Sequence, residues 1–286
     1  MSKSLSSLVR GRVAVLSTGL LCVLGASAAR GSLVSASLPV GPITFENATD
    51  YADNFREYYD NGDRLGQTTN GAANDYLAQT AGTSNDNGIA VYDTTAADGT
   101  TTQHVFSSPF QVQFDARAAQ ATSSVGVFLM DPTNEGNNIL ALLNIDANVT
   151  SDRIRFFRDA PLASNKTGPG TQVNITSSSG GTVTGGNQFD GESGVNVNQF
   201  GAFVLTYSLS GADATVSLMF GNISATAVYT GQGIATPEIA LRMFDVNTTA
   251  GTTDVDNFSV VPEPGAAGVI ALMAMGGLAR RRRRRS

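Results

Sequence analysis

The chain has 286 residues, 41% of them hydrophobic and 15% charged, a composition that excludes a disordered or collagen-like chain. A single His and a single Cys exclude zinc-finger, iron–sulfur and haem sites, which need several such ligands. Residues 29–261 hold nine Lys or Arg against 23 Asp or Glu, so nucleic acid and anionic membranes are not expected as partners of this acidic body.

The N-terminal residues have the three parts of a secretory signal peptide. Basic residues precede an apolar run over 13–25, and the small residues Ala26 and Ala28 follow it. An uncleaved membrane anchor is the alternative, but a run of about 13 residues is short for a bilayer core that takes roughly 20. We therefore predict that residues 1–28 form a signal peptide, which signal peptidase removes after Ala28.

Residues 29–261 are predicted to form one all-β domain, because apolar and polar residues alternate with a period of two along several segments. The clearest are 110–115, 152–158 and three consecutive segments within 200–230, which short turns containing Gly or Asn join as in hairpins. More continuously apolar runs over 124–130 and 139–145 predict central strands that are buried on both faces.

Helical signal is scarce in this body. The one plausible helix covers 52–59, where a strand or a loop is nearly as well supported. Residues 163–199 are rich in Gly, Ser, Thr and Asn, which indicates long loops around brief strands.

The C-terminal residues carry the most specific pattern in the sequence. A proline-flanked glutamate precedes an apolar or small-residue segment over 265–279, and six arginines follow that segment. Such a segment is long enough to enter a bilayer, while the arginines remain on the cytoplasmic side. A plain tail anchor is the alternative, but the whole arrangement resembles the PEP-CTERM sorting signal of bacterial surface proteins. The residues that carry this resemblance, within 262–286, are Pro262, Glu263, Pro264, Arg280, Arg281 and Arg282.

That resemblance implies a location more than an activity. It implies a Gram-negative-type bacterium that makes exopolysaccharide, export of the chain, and transient membrane insertion of the tail as a transmembrane helix. It further implies processing of the tail by an exosortase that recognises the Pro-Glu-Pro triplet, and delivery of the body to the cell surface or the extracellular matrix of a biofilm. Members of the family are largely non-enzymatic or uncharacterised.

The order of strands in the body resembles the antiparallel jelly-roll β-sandwiches of concanavalin A-like and laminin-G-like domains. The resemblance is carried by 43–46 as an opening strand, the hairpin 202–220, and the segments 237–246 and 254–260. It implies that the first and last strands lie near each other. An immunoglobulin-type sandwich and a β-helix are the alternatives.

No pattern of catalytic residues is present. The E-x-D-x-x-E spacing of sugar-cleaving relatives is absent, and so is the G-x-S-x-G turn of serine hydrolases. His104 is better explained as a strand residue than as a base. We therefore predict a non-catalytic structural or glycan-interacting sandwich. The alternative is a secreted glycoside hydrolase or lyase whose acids meet from separate strands.

No cofactor is expected, although calcium is the one metal that the residue types favour. Oxygen-bearing side chains cluster at 60–63, 85–88 and 254–257, but Asx and Gly also gather in turns for conformational reasons, which is the favoured interpretation. An exopolysaccharide or another surface glycan is the predicted partner. Exposed aromatic rings are the usual platforms for sugars. The candidates are Tyr51, Tyr58, Tyr59, Tyr76 and Tyr92.

Overall fold

The computed structural model describes residues 34–35, 40–47, 49–60, 65–67, 76–79, 86–95, 101–118, 123–145, 152–162, 170–196, 198–245 and 253–262. Within these ranges the chain forms one short helix, α1 (Asp50–Asn54), and 20 strands that are divided between two sheets.

The larger sheet, sheet I, consists of β1 (Val34–Ser35), β3 (Phe55–Asp60), β6 (Asp86–Thr95), β7 (Thr101–Val105), β9 (Ser123–Asp131), β10 (Asn134–Ile145), β11 (Asp152–Arg158), β12 (Thr171–Val173), β14 (Gly181–Thr184), β15 (Gln188–Gly191) and β19 (Glu238–Asp245). Sheet II consists of β2 (Val40–Ile43), β4 (Leu65–Gln67), β5 (Leu77–Gln79), β8 (Phe110–Ala118), β13 (Ile175–Ser179), β16 (Gly201–Ser210), β17 (Asp213–Phe220), β18 (Ile223–Tyr229) and β20 (Thr253–Pro262).

The strand order confirms the predicted antiparallel jelly-roll β-sandwich. Sheet I runs β1-β7-β6-β19-β9-β10-β11-β15-β14, with β3 also paired to β6 and β12 to β11. Sheet II runs β13-β18-β17-β16-β8-β20-β5-β4, with β2 also paired to β20. Among the described strands, β1 and β7 form the one parallel pair. Successive strands pass back and forth between the sheets, as β7, β8 and β9 do and again β18, β19 and β20.

The core lies between the inner faces of the two sheets. Strand β8 alternates strictly between buried and half-buried residues, as its sequence predicts, and its Phe114 ring stacks on Phe203 of β16 with 4.2 Å between the ring centroids. Strand β9 is buried on both faces from Ser123 to Met130, which confirms the prediction for a central strand. The alternation of apolar side chains therefore decides which face of each strand is enclosed.

The predicted meander over 200–230 is also confirmed, because β16, β17 and β18 pair in sequence as antiparallel neighbours. The glycine-rich stretch 163–199 contains the brief strands β12 to β15 in the part that the structure describes. The opening strand pairs with the closing one, since Ile43 of β2 lies opposite Phe258 of β20.

Three boundaries differ from the sequence prediction. The opening strand predicted over 43–46 lies earlier, because β2 ends at Ile43 and Phe45, with a φ of 56°, leaves the extended conformation. The helix predicted over 52–59 is wrong for most of its length: α1 ends at Asn54, and Phe55 begins strand β3, which pairs with β6. Burial of Phe55 among core aromatic rings stabilises the strand in place of a helix. The last strand extends to Pro262, so the first residue of the predicted sorting signal pairs with Phe110.

Candidate functional site

The outer face of sheet I carries charged side chains beside buried apolar ones. Along β19, alternate residues such as Leu241 belong to the core between the sheets, so Arg242 lies on the opposite side. The same alternation on β11 places Ile154 in the core and Arg153 and Arg155 on the outer face. A second apolar cluster packs on this face, and its members are Ile89, Val91, Phe128, Met130, Leu140, Leu142, Phe157, Ala160, Leu162 and Ala240.

Strand register brings polar residues of β10, β11 and β15 together on this face. Asn144 of β10 lies opposite Arg153 of β11, which lies opposite Asp190 of β15. Two residues further along β11, on the same face, Arg155 lies opposite Gln188. All five side chains are half-buried. We call this group, Asn144, Arg153, Arg155, Gln188 and Asp190, the outer polar patch.

Hydrogen bonds connect the members of the outer polar patch. Arg153 Nε donates to Asp190 Oδ1 at 2.8 Å, and Gln188 Nε2 donates to Asp190 Oδ2 at 2.9 Å. Arg155 Nη2 donates to the amide oxygen of Asn144 at 2.7 Å. The aromatic ring of Phe157 lies beside this pair, with its centroid 5.5 Å from the Arg155 guanidinium carbon. The patch is therefore a set of oriented, planar hydrogen-bonding groups next to an aromatic ring.

The charges of the outer polar patch are partly shielded from water. Burial, and next the charge of Arg153, lower the pKa of Arg155, while Asp190 opposes this shift. Burial also lowers the pKa of Arg242 to about 10, with a further contribution from Arg155. For Asp190, burial raises the pKa, but hydrogen bonds from Gln188 and Arg153 outweigh it, so its pKa is lowered. Half-buried charges of this kind interact more strongly with a ligand than fully solvated ones.

A second polar group lies on the same face, where the outward side chain of Tyr58 on β3 packs against the second apolar cluster. Tyr58 donates its hydroxyl to Glu135 Oε2 at 2.5 Å, and Glu135 belongs to a bulge at the start of β10. Burial and this carboxylate raise the pKa of Tyr58 to about 12, and the charge of Glu238 adds to the shift while Arg56 opposes it. We call Tyr58, Glu135 and Glu238 the tyrosine–glutamate cluster. Two carboxylates from separate strands thus raise the pKa of one hydroxyl.

The outer face of sheet II has a different character. Its half-buried positions on β16 and β17 include Thr206, Thr215 and Ser217, and Ser217 hydrogen-bonds Thr226 at 2.8 Å. A cleft of about 340 Å³ lies elsewhere, between β12 and β18, with Arg158, Gln172 and Gln232 among its lining residues. Beside these hydroxyl groups, the outer face of sheet II carries the ion pair of Arg117 with Asp254 and the carboxylate of Asp115.

Most of the tyrosines that the sequence indicated as sugar platforms serve other purposes. Tyr92 is 5% exposed and packs among core rings, so its assignment as a platform is wrong. The ring of Tyr51 stacks on Phe55 of the core. Tyr76 lies over the guanidinium of Arg117. Tyr58 does lie on the outer face of sheet I.

Other predicted site residues have mixed outcomes. The side chain of Tyr59 lies outside the described residues. His104 lies on β7 with its ring 4.9 Å from that of Tyr92, and burial lowers its pKa while the charge of Asp93 opposes this shift. This position agrees with a strand residue packed on a sheet face.

The calcium clusters do not form a metal site in the part of the chain that the structure describes. There, no group of three or more His, Cys, Asp or Glu side chains is arranged to hold a metal ion. Asp254 instead forms an ion pair with Arg117 at 2.5 Å, and Asn257 donates to Asp115 at 2.8 Å. The side chains of 60–63 and 85–87 lie outside the described residues.

The residues assigned to export lie mostly outside the described residues as well. Those outside are Ala26, Ala28, Glu263, Pro264, Arg280, Arg281 and Arg282, while Pro262 is described. Among the helices that the structure describes, none has the length and hydrophobicity to traverse a bilayer.

Comparisons with known proteins concern the fold. No protein-family model and no curated protein matches the chain. Among solved structures, a carbohydrate binding module, CBM66 from Bacillus subtilis, matches at 11% identity with a TM-score of 0.41, covering 73% of this chain and 95% of that one. A legume lectin-like domain from Entamoeba histolytica matches at 13% identity with a TM-score of 0.42, covering 75% of this chain and 91% of that one.

An enzyme is among the similar structures too. The Crh5 transglycosylase in complex with NAG matches at 12% identity with a TM-score of 0.44, covering 80% of this chain and 86% of that one. At these identities and TM-scores, function has to be argued from this chain's own residues.

Proposed function

We propose that the outer polar patch binds a carbohydrate and that the sandwich is a non-catalytic, glycan-interacting module. The observation that carries this proposal is the group of five half-buried polar side chains that three neighbouring strands hold in fixed orientation beside the ring of Phe157. Sugar hydroxyls both donate and accept hydrogen bonds. Planar amide, guanidinium and carboxylate groups meet both needs, while the ring of Phe157, which is 3% exposed, packs beneath the patch and supports Arg155.

Sheet strands suit this task because they position the side chains rigidly. The members of the outer polar patch hold one another through hydrogen bonds of 2.7 to 2.9 Å, so little conformational freedom remains to be lost when a ligand binds. A site that is ordered in advance binds more tightly than an equal set of flexible surface residues.

Retention on polysaccharide gels tests this proposal. Neutral and acidic polysaccharides are each embedded in native gels, and migration of the full-length protein is compared with that of a variant carrying Asn144→Ala and Gln188→Ala. Loss of two hydrogen-bonding side chains is expected to weaken retention about tenfold. A control variant carries Thr206→Ala and Thr215→Ala on the outer face of sheet II. Equal retention of all three proteins, or loss in the control variant alone, would contradict the proposal.

We further propose that the chain is exported, sorted by an exosortase and delivered to the cell surface or matrix. The support is the order of elements at the two ends: the apolar run before Ala28, and the Pro-Glu-Pro triplet before an apolar segment and six arginines. The mass of the protein recovered from the surface of a PEP-CTERM-bearing bacterium tests this. A mature species that retains both residues 1–28 and the arginines would overturn it.

A second function is favoured by the tyrosine–glutamate cluster, in which Glu135 and Glu238 come from separate strands. An enzyme that cleaves a glycosidic bond needs two carboxyls, and here Glu135 is half-buried while Glu238 is 0% exposed, which makes Glu135 the one that a substrate could meet first. Release of reducing sugar from matrix polysaccharides is the assay, with Glu135→Gln expected to abolish release and the exposed Glu192→Gln to preserve it. Absence of release by the unmodified protein on all substrates that it binds leaves the binding function.

A further inference from the structure

We infer that the carbohydrate bound by the outer polar patch is acidic, and that Arg155 holds a carboxylate of a uronic acid residue in it. This inference rests on the proposed glycan-binding function and names the ligand class for the same site.

The first argument is the hydrogen bonding of Arg155. A guanidinium presents several N–H donors in a flat fork, yet Arg155 makes one hydrogen bond among the described residues, from Nη2 to the amide oxygen of Asn144. Its Nε is buried and meets no acceptor. Because this Nε is enclosed by protein, the half-buried side chain offers a ligand its Nη groups, of which one N–H is used by Asn144.

The second argument is a comparison with other arginines of the chain. Arg56 lies 2.7 Å from a carboxylate oxygen of Asp93, Arg117 lies 2.5 Å from Asp254, and Arg153 lies 2.8 Å from Asp190. Arg155 is half-buried as well, but its described contact is an amide oxygen instead of a carboxylate. Among the described residues no carboxylate forms an ion pair with Arg155, and Asp190, which Arg153 and Gln188 already hold, acts on it through its charge alone. Part of the charge of Arg155 is therefore left for a ligand to match.

The third argument is the charge around Arg155. Arg153 is its neighbour on the same face, and the charges of both residues bear on each other. Arg155 also acts on the charge of Arg242 on β19. Residues 29–261 as a whole carry 14 more acidic than basic residues, so this concentration of guanidinium groups is local. A diffuse attraction of polyanions to the protein is therefore not expected, and binding of an acidic glycan requires this particular site.

A carboxylate fits this environment better than a sugar hydroxyl. The guanidinium fork matches the two oxygens of a carboxylate, and such charge-assisted pairs are stronger than neutral hydrogen bonds. Partial burial strengthens the pair further. Loss of the guanidinium is thus expected to weaken binding of an acidic glycan by about 10- to 100-fold.

The experiment compares each acidic polysaccharide with its own methyl ester, which has the same backbone without the negative charge. Polygalacturonate, alginate and hyaluronan oligosaccharides are titrated into the full-length protein by calorimetry, beside neutral dextran and galactan. We expect binding of at least one acidic form, and affinity for its ester that is lower by about 10- to 100-fold. This comparison needs no variant, so it holds even if a substitution impairs folding.

Matched variants then assign the effect to Arg155. Arg155→Gln should lose the preference for the acid form, and Arg155→Lys should keep part of it because the charge remains without the fork. Arg158→Gln removes the same charge from the same strand, at the exposed end that borders the cleft between β12 and β18, and should bind normally.

The outcomes separate the two proposals. Equal affinity for acid and ester, binding of neutral glycans alone, or a loss in Arg158→Gln rather than Arg155→Gln overturns the inference while a glycan-binding function stands. Binding of no glycan in any form overturns both.

Discussion

Replacement of Tyr207 by Phe tests how much the hydrogen bonds of its hydroxyl stabilise the segment that connects the two sheets. Tyr207 is 0% exposed, and its hydroxyl donates to the carbonyl oxygen of Ile234 at 2.7 Å while it accepts from the Ile234 N–H at 2.8 Å. Ile234, 3% exposed, lies in the connection that leaves β18 in sheet II and enters β19 in sheet I. One side-chain oxygen thus satisfies two backbone groups of a buried crossing segment.

The structure gives the expected magnitude. Tyr207→Phe removes one oxygen atom and leaves a buried N–H and a buried C=O without partners, each at about 1–3 kcal/mol before relaxation. We expect the free energy of unfolding to fall by about 2–4 kcal/mol. Tyr229→Phe is the matched control, because Tyr229 is 1% exposed and its hydroxyl makes a single long bond, 3.3 Å to the carbonyl oxygen of Phe157. Its loss should cost about 1 kcal/mol or less.

Equilibrium unfolding in urea measures both variants against the unmodified protein. The two substitutions delete the same atom from equally buried rings, so a difference between them isolates the hydrogen bonds to Ile234. A cost for Tyr207→Phe no larger than that for Tyr229→Phe would refute the reasoning, since it would mean that the crossing segment finds other partners.

Three further predictions concern stability in urea. Arg117→Ala leaves the carboxylate of Asp254, 4% exposed, buried without its ion-pair partner and should cost about 3 kcal/mol; a cost under about 1 kcal/mol would contradict the account. Gly221→Ala should cost more than Gly211→Ala, because both have positive φ, 55° and 63°, but an added methyl meets a backbone oxygen at Gly221 and nothing within 4 Å at Gly211; equal costs would contradict this. Burial and neighbouring carboxylates raise the pKa of Asp256, so its ionised form opposes folding once the pH exceeds the unfolded-state pKa of about 4. Asp256→Asn should therefore stabilise the protein at pH 7 more than at pH 3, and a gain that does not change with pH would refute this.

Strands could be predicted where one face is buried and the other is not. The alternation in β8 and in the meander β16–β18 reflects that asymmetry directly, and these segments agree with the structure. The segment 52–59 could not be predicted in the same way, because the aromatic residues from Phe55 onward gain their stability from pairing with β6, which is distant in sequence. Local propensity does not contain that pairing.

Only part of the outer polar patch could be predicted from the sequence. Alternation with Ile154 and Phe156 indicates that Arg153 and Arg155 share a face of β11. That Asn144 and Asp190 lie beside them depends on the register of β10 and β15 against β11, and no local sequence signal specifies that register. The tyrosines were misleading because a phenol ring suits a core as well as a surface, as Tyr92 shows.

The position of β20 determines how late in synthesis this protein can complete sheet II. The strand inserts between β8 and β5 inside sheet II, and it is the last strand to leave the ribosome among those described. Until residues 253–262 arrive, both flanking strands expose unpaired backbone edges, which are prone to aggregate. On the export route proposed above, a chain that enters a secretion pore from its N-terminus would leave this gap in sheet II open until nearly all of it had crossed.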